Sequence, residues 1–256
     1  MFEEGSEVAQ PLSRRDRLRA ATVAEIRQTA RALLVAEGIE GLSLRAIARE
    51  MGMTAPALYR YFPSREDLLE HLIADLYDEV SDAMEAARDQ LPADDIGGRL
   101  MTVSRVFRRW SVDHPREFVL IFGSPIPGVR KEHTGEQADV ASVAGRRFGL
   151  VFGDLVARGH AAKPMPVPAD GDIEPALRLE LERWRKEFPV PVPLGLVQLY
   201  LSCWVRLYGI VTMEVFGHLD FALDDAEPLF EAELRGLAAL LGMPEAYRPP
   251  VTAAGR

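Results

Sequence analysis

Residues 42–62 constrain the fold of this chain more than any other segment, because their pattern predicts two short helices joined by a tight turn. Ser43 is a favoured residue for a helix N-cap. The apolar residues that follow recur at helical spacing and make one face of the first helix: Leu44, Ile47, Ala48 and Met51. Gly52 is expected to end this helix, since glycine tolerates the left-handed conformation that helix C-termini adopt.

The second helix of the pair has equally clear ends. Thr54 can cap it, and Pro56 lies in its first turn, where a missing N–H group leaves no helical bond unmade. Leu58 and Phe62 are four residues apart and face inward, so small and polar residues occupy the other faces. A DNA-binding helix-turn-helix needs this buried seam beside a narrow outer face, although a helical hairpin that only completes a core has the same pattern.

The residues after this pair favour DNA binding over the bare hairpin. Residues 59–61, Tyr-Arg-Tyr, supply hydroxyl and guanidinium donors that suit phosphates and base edges. A third helix follows at once, with Ser64 as its N-cap and Asp67 in the capping-box position. Arg65 and the free N–H groups of that first turn are expected to face the same DNA backbone.

The run from Ile26 to Leu76 resembles the DNA-binding domain of the TetR/AcrR family of bacterial transcription regulators. The matching residues begin at Ala30 and read ARALLVAEGIEGLSLRAIAREMGMTAPALYRYFPSREDLLEHLI. The resemblance implies an all-α fold with a three-helix helix-turn-helix head at 14–63 and a larger helical ligand-binding and dimerisation body at 64–246. Flexible tails are expected at 1–13 and 247–256. One departure from the family pattern is Arg65, which stands where lysine is commonest.

The outer face of the two short helices and the family resemblance together predict the DNA-binding residues. These are Ser43, Arg45, Thr54, Ala55, Pro56, Ala57, Tyr59, Arg60, Tyr61 and Arg65. Within this set Tyr59, Tyr61 and Arg65 are expected to hold phosphates. A second group is expected near base edges, namely Arg45, Thr54, Ala57 and Arg60.

Charge is distributed unevenly along the chain, whose net charge is −9. Residues 1–65 carry 10 Lys and Arg against 8 Asp and Glu, whereas residues 66–256 carry 20 against 31. An acidic body is repelled by DNA and a mildly basic head is attracted, so we expect only one end of the molecule to bind DNA. A basic arm that could reach phosphates precedes the first helix, with Arg14, Arg15, Arg17 and Arg19.

Apolar periodicity and helix breakers predict helices over the rest of the chain. The expected helices span 17–37, 64–90, 96–113, 117–122, 137–160, 174–188, 194–216 and 224–241, with a loop at 123–128 and a linker at 163–172. The helix at 194–216 is apolar nearly all round and must therefore be buried on all sides. Two copies of the last two helices, packed as a four-helix bundle, would cover this surface, so a homodimer is predicted.

Large apolar residues of the body predict a cavity for a small hydrophobic ligand of aromatic or acyl character. The candidate ligand-binding residues are Met101, Phe107, Trp110, His114, Phe118, Phe122, Phe148, Phe152, Trp204, Tyr208 and Met213. Tyr208 and His114 are expected to orient the ligand. Any single one of these residues could equally fill a core. An anionic ligand is less expected, because the apolar helices offer few cations beyond Arg206.

The body also resembles a TetR C-terminal subtype named for a Trp-His-Gly signature. The resemblance lies in residues 110–125 and in Trp204-Val205-Arg206-Leu207-Tyr208-Gly209 with the residues that follow. Tyr208 here stands at the usual histidine position. It is either a ligand contact of altered chemistry or a structural aromatic residue.

Other functional classes have little support in the sequence. The five histidines, His71, His114, His133, His160 and His218, lack metal-ligand spacing, and neither a phosphate loop nor a nucleophile elbow is found, so an enzyme, a metal site and a cofactor are not expected. Cys203 lies in an apolar stretch, which favours an inert buried thiol over a redox sensor. Arg206 within the apolar stretch 194–213, which lacks basic flanks, argues against a membrane span, and a cytoplasmic protein is expected.

These observations predict a ligand-responsive transcription regulator, and more specifically a repressor released from double-stranded operator DNA by a small apolar molecule. Two alternatives stay open. The first is an activator or architectural DNA-binding protein without a ligand. The second is an all-helical small-molecule carrier whose head no longer binds DNA.

Overall fold

The computed structural model describes residues 13–123, 125–126, 129, 139–188 and 190–250, and this part of the chain is all-α, as predicted. It contains ten α-helices and no strand. The helices are α1 Arg14–Gly41, α2 Leu44–Glu50, α3 Ala55–Tyr59, α4 Arg65–Arg88, α5 Ile96–Asp113, α6 Pro115–Phe122, α7 Val140–Ala162, α8 Pro175–Trp184, α9 Leu194–Val215 and α10 Glu227–Leu240. The chain divides into two compact units, one ending at Leu72 and the other beginning at Ile73.

The first unit is built on α1, whose ends follow from its sequence. Ser13 caps it by accepting a hydrogen bond from the N–H of Asp16 at 3.2 Å. Gly38 has φ 74° and interrupts the helical geometry before a last turn that ends at Gly41. The predicted end of the first helix at residue 37 therefore coincides with this left-handed glycine.

The helix-turn-helix forms as the sequence predicts. Ser43 accepts a hydrogen bond from the N–H of Ala46 at 3.1 Å, and Gly52 turns the chain at φ 63°. Leu58 and Phe62 are both buried, and the inward face of α3 packs against α2. Because a Cβ atom at position 52 would meet nothing within 4 Å, this glycine is required by its backbone conformation rather than by space.

The division between the two units falls within α4, nine residues beyond the predicted boundary at 63–64. The start of α4 belongs to the first unit through its own contacts. Ser64 accepts a hydrogen bond from the N–H of Asp67 at 3.0 Å, as predicted, and the ring of Phe62 packs edge-on against His71 with centroids 5.5 Å apart. Leu72, the last residue of the first unit, is buried.

The second unit is organised around an aromatic core. Phe107 of α5 is fully buried and contacts five other rings, those of Phe118, Phe122, Phe148, Phe152 and Trp204. Two part-buried ion pairs hold α5 to the last two helices. Arg105 donates to Glu231 of α10 at 2.7 and 2.8 Å, and Arg108 donates to Glu214 of α9 at 2.6 and 2.8 Å.

Several predicted bounds shift by a few residues for local reasons. Helix α6 begins two residues early because Pro115 suits a first helical turn. The predicted helix 174–188 is split, since α8 ends at Trp184 and a 3₁₀ turn, Arg185–Glu187, continues it. His133, the predicted helix start at 137–138, parts of the loop 123–128 and most of both predicted tails lie outside the described residues.

Helix α9 is not buried on all sides, which corrects the prediction made for a single chain. Val205 is 67% exposed and Met213 is 42% exposed, because none of the described elements covers this face of the helix. Alone among the described helices, α9 is also long and apolar enough to cross a membrane, with a mean hydropathy of 1.4. It packs against α5, α7, α8 and α10, which is also the position of a core helix.

Candidate DNA-binding surface and ligand cavity

The polar residues predicted to contact DNA lie on the surface of the helix-turn-helix. The exposed members of the predicted set are Ser43, Arg45, Thr54, Pro56, Tyr59 and Arg60, while Ala55, Ala57, Tyr61 and Arg65 are half-buried. Thr54 occupies the N-cap position of α3, but its hydroxyl makes no capping hydrogen bond. This hydroxyl is therefore available to a base edge or a phosphate beside the two small residues that follow it.

Tyr61 carries a cation on its ring face. The guanidinium carbon of Arg19 lies 5.2 Å from the centroid of the Tyr61 ring. This contact brings one member of the predicted basic arm onto the end of the helix-turn-helix. A phenol hydroxyl and a guanidinium are thus held together, and both are donors that suit a phosphate.

Arg65 has a structural role that its prediction as a phosphate contact did not include. Its Nε donates to the carbonyl oxygen of Leu42 at 2.8 Å, and its Nη2 donates to the carbonyl oxygen of Ile39 at 2.8 Å. One of these carbonyls lies in the last turn of α1 and the other just after it, where few helical donors remain, and Ile39 also accepts from the N–H of Leu42 at 3.3 Å. The side chain therefore holds the α1–α2 connection against the start of α4.

The second unit contains a cavity of about 390 Å³. It lies among α4, α6, α7, α9 and the end of α8. Its lining residues are mostly aromatic or small: Tyr77, Ile121, Phe122, Gly145, Arg146, Phe148, Gly149, Leu150, Gly153, Trp184, Glu187, Phe188, Tyr200, Leu201, Trp204 and Tyr208. Four of the predicted ligand-binding residues line it, namely Phe122, Phe148, Trp204 and Tyr208.

The other predicted ligand-binding residues do not line this cavity. Phe107 and Phe118 are fully buried, with their rings packed on those that line it. Met101 and Phe152 line a separate space of only about 40 Å³. Met213 points to the exposed face of α9.

Trp110 and His114 are also absent from the cavity lining, because they pair with each other. Their rings stack with centroids 5.1 Å apart, and Trp110 Nε1 donates to Glu79 at 2.9 Å. The Nδ1 atom of His114 lies 2.9 Å from the carbonyl oxygen of Trp110. His114 therefore packs on the end of α5 and does not line this cavity.

Sequence reasoning missed one cavity surface that had a visible signal. Gly145, Gly149 and Gly153 recur every four residues along α7 and share one face of the helix, and all three line the cavity. Trp184, Phe188 and Tyr200 also line it, although none was among the predicted ligand-binding residues. Their rings pack together, with centroids 5.3–5.6 Å apart.

The polar groups of the cavity are mostly committed to partners within the protein. The hydroxyl of Tyr208 donates to the carbonyl oxygen of Phe122 at 2.7 Å, and that of Tyr200 donates to the carbonyl oxygen of Gly149 at 3.1 Å. Arg146 and Glu187 form an ion pair with an N···O distance of 3.8 Å. The lining is therefore apolar in character, with its ionic groups paired.

Two further observations have less bearing on the site. Burial raises the pKa of the Cys203 thiol to about 11, so little thiolate forms at neutral pH, in keeping with the predicted inert cysteine. In the part of the chain that the structure describes, no cluster of three or more His, Cys, Asp and Glu side chains could hold a metal ion.

Comparison with protein families places both parts of the chain. Residues 26–72 match the model described as bacterial regulatory proteins of the tetR family, and residues 100–237 match a tetracyclin repressor-like C-terminal domain. The Trp-His-Gly subtype of the body stays a prediction. The helix-turn-helix and the helical unit with its cavity thus define a DNA-binding transcription regulator.

Relatives of known name agree with this class. The HTH-type transcriptional regulators Mb1846 of Mycobacterium bovis and Rv1816 of Mycobacterium tuberculosis are each 35% identical over 219 residues, covering 85% of this chain and 91% of the relative. The chain belongs to the TetR family of transcription regulators.

Solved structures share the fold. The crystal structure of SCO4313 aligns with a TM-score of 0.69 and 32% identity, covering 89% of this chain and all of that one. RolR, crystallised in complex with resorcinol, aligns with a TM-score of 0.54 and 19% identity, covering 91% and 97% of the two chains. At that identity the second likeness concerns the fold alone.

Proposed function

We propose that this regulator is a repressor that leaves its operator when a small apolar molecule occupies the cavity of the second unit. The observation that carries the proposal is the cavity itself, which lies at the small end of the range of about 300–1,000 Å³ typical of ligand sites. Its lining is mostly aromatic and apolar with a few polar groups, as is usual for sites that bind small molecules.

DNA recognition is assigned to the exposed face of the helix-turn-helix. Arg45, Thr54, Ala57 and Arg60 contact base edges in the major groove, while Tyr59 and Tyr61 hold phosphates, with Ser43, Ala55 and Pro56 close to the same backbone. The exposure of the polar members and the free hydroxyl of Thr54 support this assignment. Arg65 is assigned to positioning, because its guanidinium is bonded to two carbonyls of its own chain.

The functional form is proposed to be a homodimer formed through α9 and α10. Apolar side chains on one side of α9 and in the turn after it are exposed in the single chain, among them Val205, Phe216 and Phe221. A second copy with the same surface would cover them, and a two-fold symmetric pair of heads matches a symmetric operator. A protein that acts on bacterial DNA in this way works in the cytoplasm.

The decisive experiment measures operator affinity with and without a cavity ligand. The protein's own upstream region serves as DNA in a gel shift, and ligands come from a thermal-shift screen. We expect a stabilising ligand to weaken DNA binding, since two ligands that favour different states of one protein oppose each other reciprocally.

The matched control is Gly149→Leu, which fills the cavity and leaves the helix-turn-helix unchanged. This variant should bind the operator with normal affinity, and the ligand should not change that affinity. If a ligand binds the cavity tightly and operator affinity does not change, the proposed ligand-controlled release is refuted and a ligand-independent regulator is favoured. Ligand binding without DNA binding would favour the carrier.

A further inference from the structure

One face of α7 that lines the cavity carries no side chains, and we call this face, formed by Gly145, Gly149 and Gly153, the glycine floor. Gly145, Gly149 and Gly153 span about 12 Å along α7 at the helical rise of 1.5 Å per residue. A Cβ at 149 would lie 3.7 Å from the hydroxyl oxygen of Tyr200, and one at 153 would lie 3.7 Å from Cε1 of Phe188. Glycines at these positions are therefore not forced by the surrounding protein. They leave a flat surface on which a ligand can approach the backbone closely.

The aromatic side chains around the glycine floor favour a planar aromatic ligand. Trp204 and Tyr208 stack with centroids 5.6 Å apart and an interplanar angle of 22°, and Trp184 lies 5.3 Å from Tyr200 at 30°. Aromatic pairs gain from offset-stacked and edge contacts beyond the area they bury. A planar ring system can make both kinds of contact here and still lie on the glycine floor.

Tyr77 supplies the one tyrosine hydroxyl of the cavity lining that has no hydrogen-bond partner among the described residues. Its ring packs beside Gly145, where a Cβ would lie 3.3 Å from Cε2 and 3.4 Å from Cζ. Burial raises the pKa of Tyr77, and the nearby Tyr208 raises it further, so the hydroxyl stays protonated and can donate. The hydroxyls of Tyr200 and Tyr208 already donate to backbone carbonyls.

Among the described residues, the cavity lining carries no uncompensated charge. Arg146 and Glu187 are the only Arg, Lys, Asp or Glu residues of this described lining, and they form an ion pair. A charged ligand would lose its hydration without gaining an unpaired counter-ion, which is costly in an apolar site. A neutral ligand avoids this cost.

We propose that the cavity binds an uncharged planar aromatic molecule of two or three rings that carries a hydrogen-bond acceptor, and that Tyr77 donates to this acceptor. The glycine floor sets the shape of the ligand, and the Tyr77 hydroxyl sets its orientation. This inference rests on the proposed function only in taking the cavity as the effector site.

The test uses matched probes and the protein's own fluorescence. The probes are 2-acetylnaphthalene and 2-isopropenylnaphthalene, which share a shape and differ by a carbonyl oxygen in place of a methylene group. A third probe, 2-naphthoate, adds a negative charge. Two of the three tryptophans, Trp184 and Trp204, line the cavity, so titrations can follow tryptophan emission in the full-length protein.

We expect 2-acetylnaphthalene to bind more tightly than either other probe. Tyr77→Phe should weaken binding of 2-acetylnaphthalene about tenfold, the effect of one neutral hydrogen bond, and leave 2-isopropenylnaphthalene unchanged. Tyr247→Phe, whose side chain lies outside the cavity, is the matched control and should change neither. The melting temperature of Tyr77→Phe should equal that of the unmodified protein, because the lost hydroxyl has no partner to leave unpaired.

Three results would overturn the inference. They are equal loss of both neutral probes in Tyr77→Phe, tighter binding of 2-naphthoate than of 2-acetylnaphthalene, and no binding of any probe. None of them concerns DNA, so the proposed repressor function stands or falls separately on operator affinity. Conversely, probe binding that leaves operator affinity unchanged refutes ligand-controlled release while the ligand class stands.

Discussion

At the scale of single residues, two arginines that were both predicted to contact DNA have different environments. Arg60 is exposed at the end of α3, whereas Arg65 donates to the carbonyl oxygens of Leu42 and Ile39. The sequence does not reveal this difference, since Arg60 ends the second short helix, Arg65 follows a few residues later, and either guanidinium suits a DNA contact. Only the path of the chain at the end of α1 brings the carbonyl oxygens of Ile39 and Leu42 within reach of Arg65.

This difference predicts opposite results for the same substitution. Arg65→Gln should lower the free energy of unfolding of the first unit by about 1–3 kcal/mol, because part-buried carbonyls lose charged donors. Arg60→Gln should change stability by less than about 0.5 kcal/mol and alter the preference between operator sequences. Hydrogen exchange and gel shifts measure the two effects. An Arg65→Gln protein of unchanged stability and much weaker DNA binding would restore Arg65 as a phosphate contact.

At the scale of elements, the helices could be predicted from the sequence, whereas only some of the residues that line the cavity could. Apolar periodicity, the caps at Ser43 and Ser64, and the glycine at 52 fix helix type and ends locally. A cavity depends instead on which facing side chains fail to fill the space between helices. Phe107 and Phe148 have the same chemistry, yet only Phe148 lines the void.

Helix α7 provides a prediction of this scale. Gly149→Ala should raise the free energy of unfolding by about 1 kcal/mol, since alanine is the better helix former, and should weaken ligand binding because its methyl group enters the cavity. Gly209→Ala in α9 is the matched control, as a Cβ there meets nothing within 4 Å and lies outside the cavity. Thermal unfolding and 2-acetylnaphthalene titration check both variants. Equal probe affinity in the two would show that the α7 face does not touch the ligand.

At the scale of the whole molecule, the exposed apolar face of α9 is the feature that a single chain does not explain. The apolar stripe of α10 serves two surfaces. Leu234 is buried within its own chain, while Leu229 of the same apolar stripe is 37% exposed. Arg206 and Glu233 form an exposed ion pair, at 2.7 Å, between α9 and α10. A charge at Leu234 would therefore disrupt the chain's own core before it tested assembly.

Val205 gives a cleaner test of the homodimer. Val205→Glu should convert the dimer to a monomer of unchanged helical content, because the new carboxylate would be buried and unpaired at the interface. Val143→Glu, at an exposed valine of α7, should stay dimeric. Light scattering and circular dichroism measure both variants. A monomeric unmodified protein at micromolar concentration would contradict the prediction.

The glycine floor of α7 has a consequence for how such a regulator can change over generations. A single base change converts any glycine codon to one for alanine, and a Cβ atom at 149 or 153 meets no atom closer than 3.7 Å, so two of the three positions can add a methyl group to the pocket wall without moving their neighbours. Alanine also strengthens the helix. A Gly→Ala change that narrows the range of accepted ligands would thus also raise the free energy of unfolding. In many proteins, changes that alter function lower the free energy of unfolding instead. The ligand specificity of this fold can therefore change through single small substitutions that do not destabilise the protein.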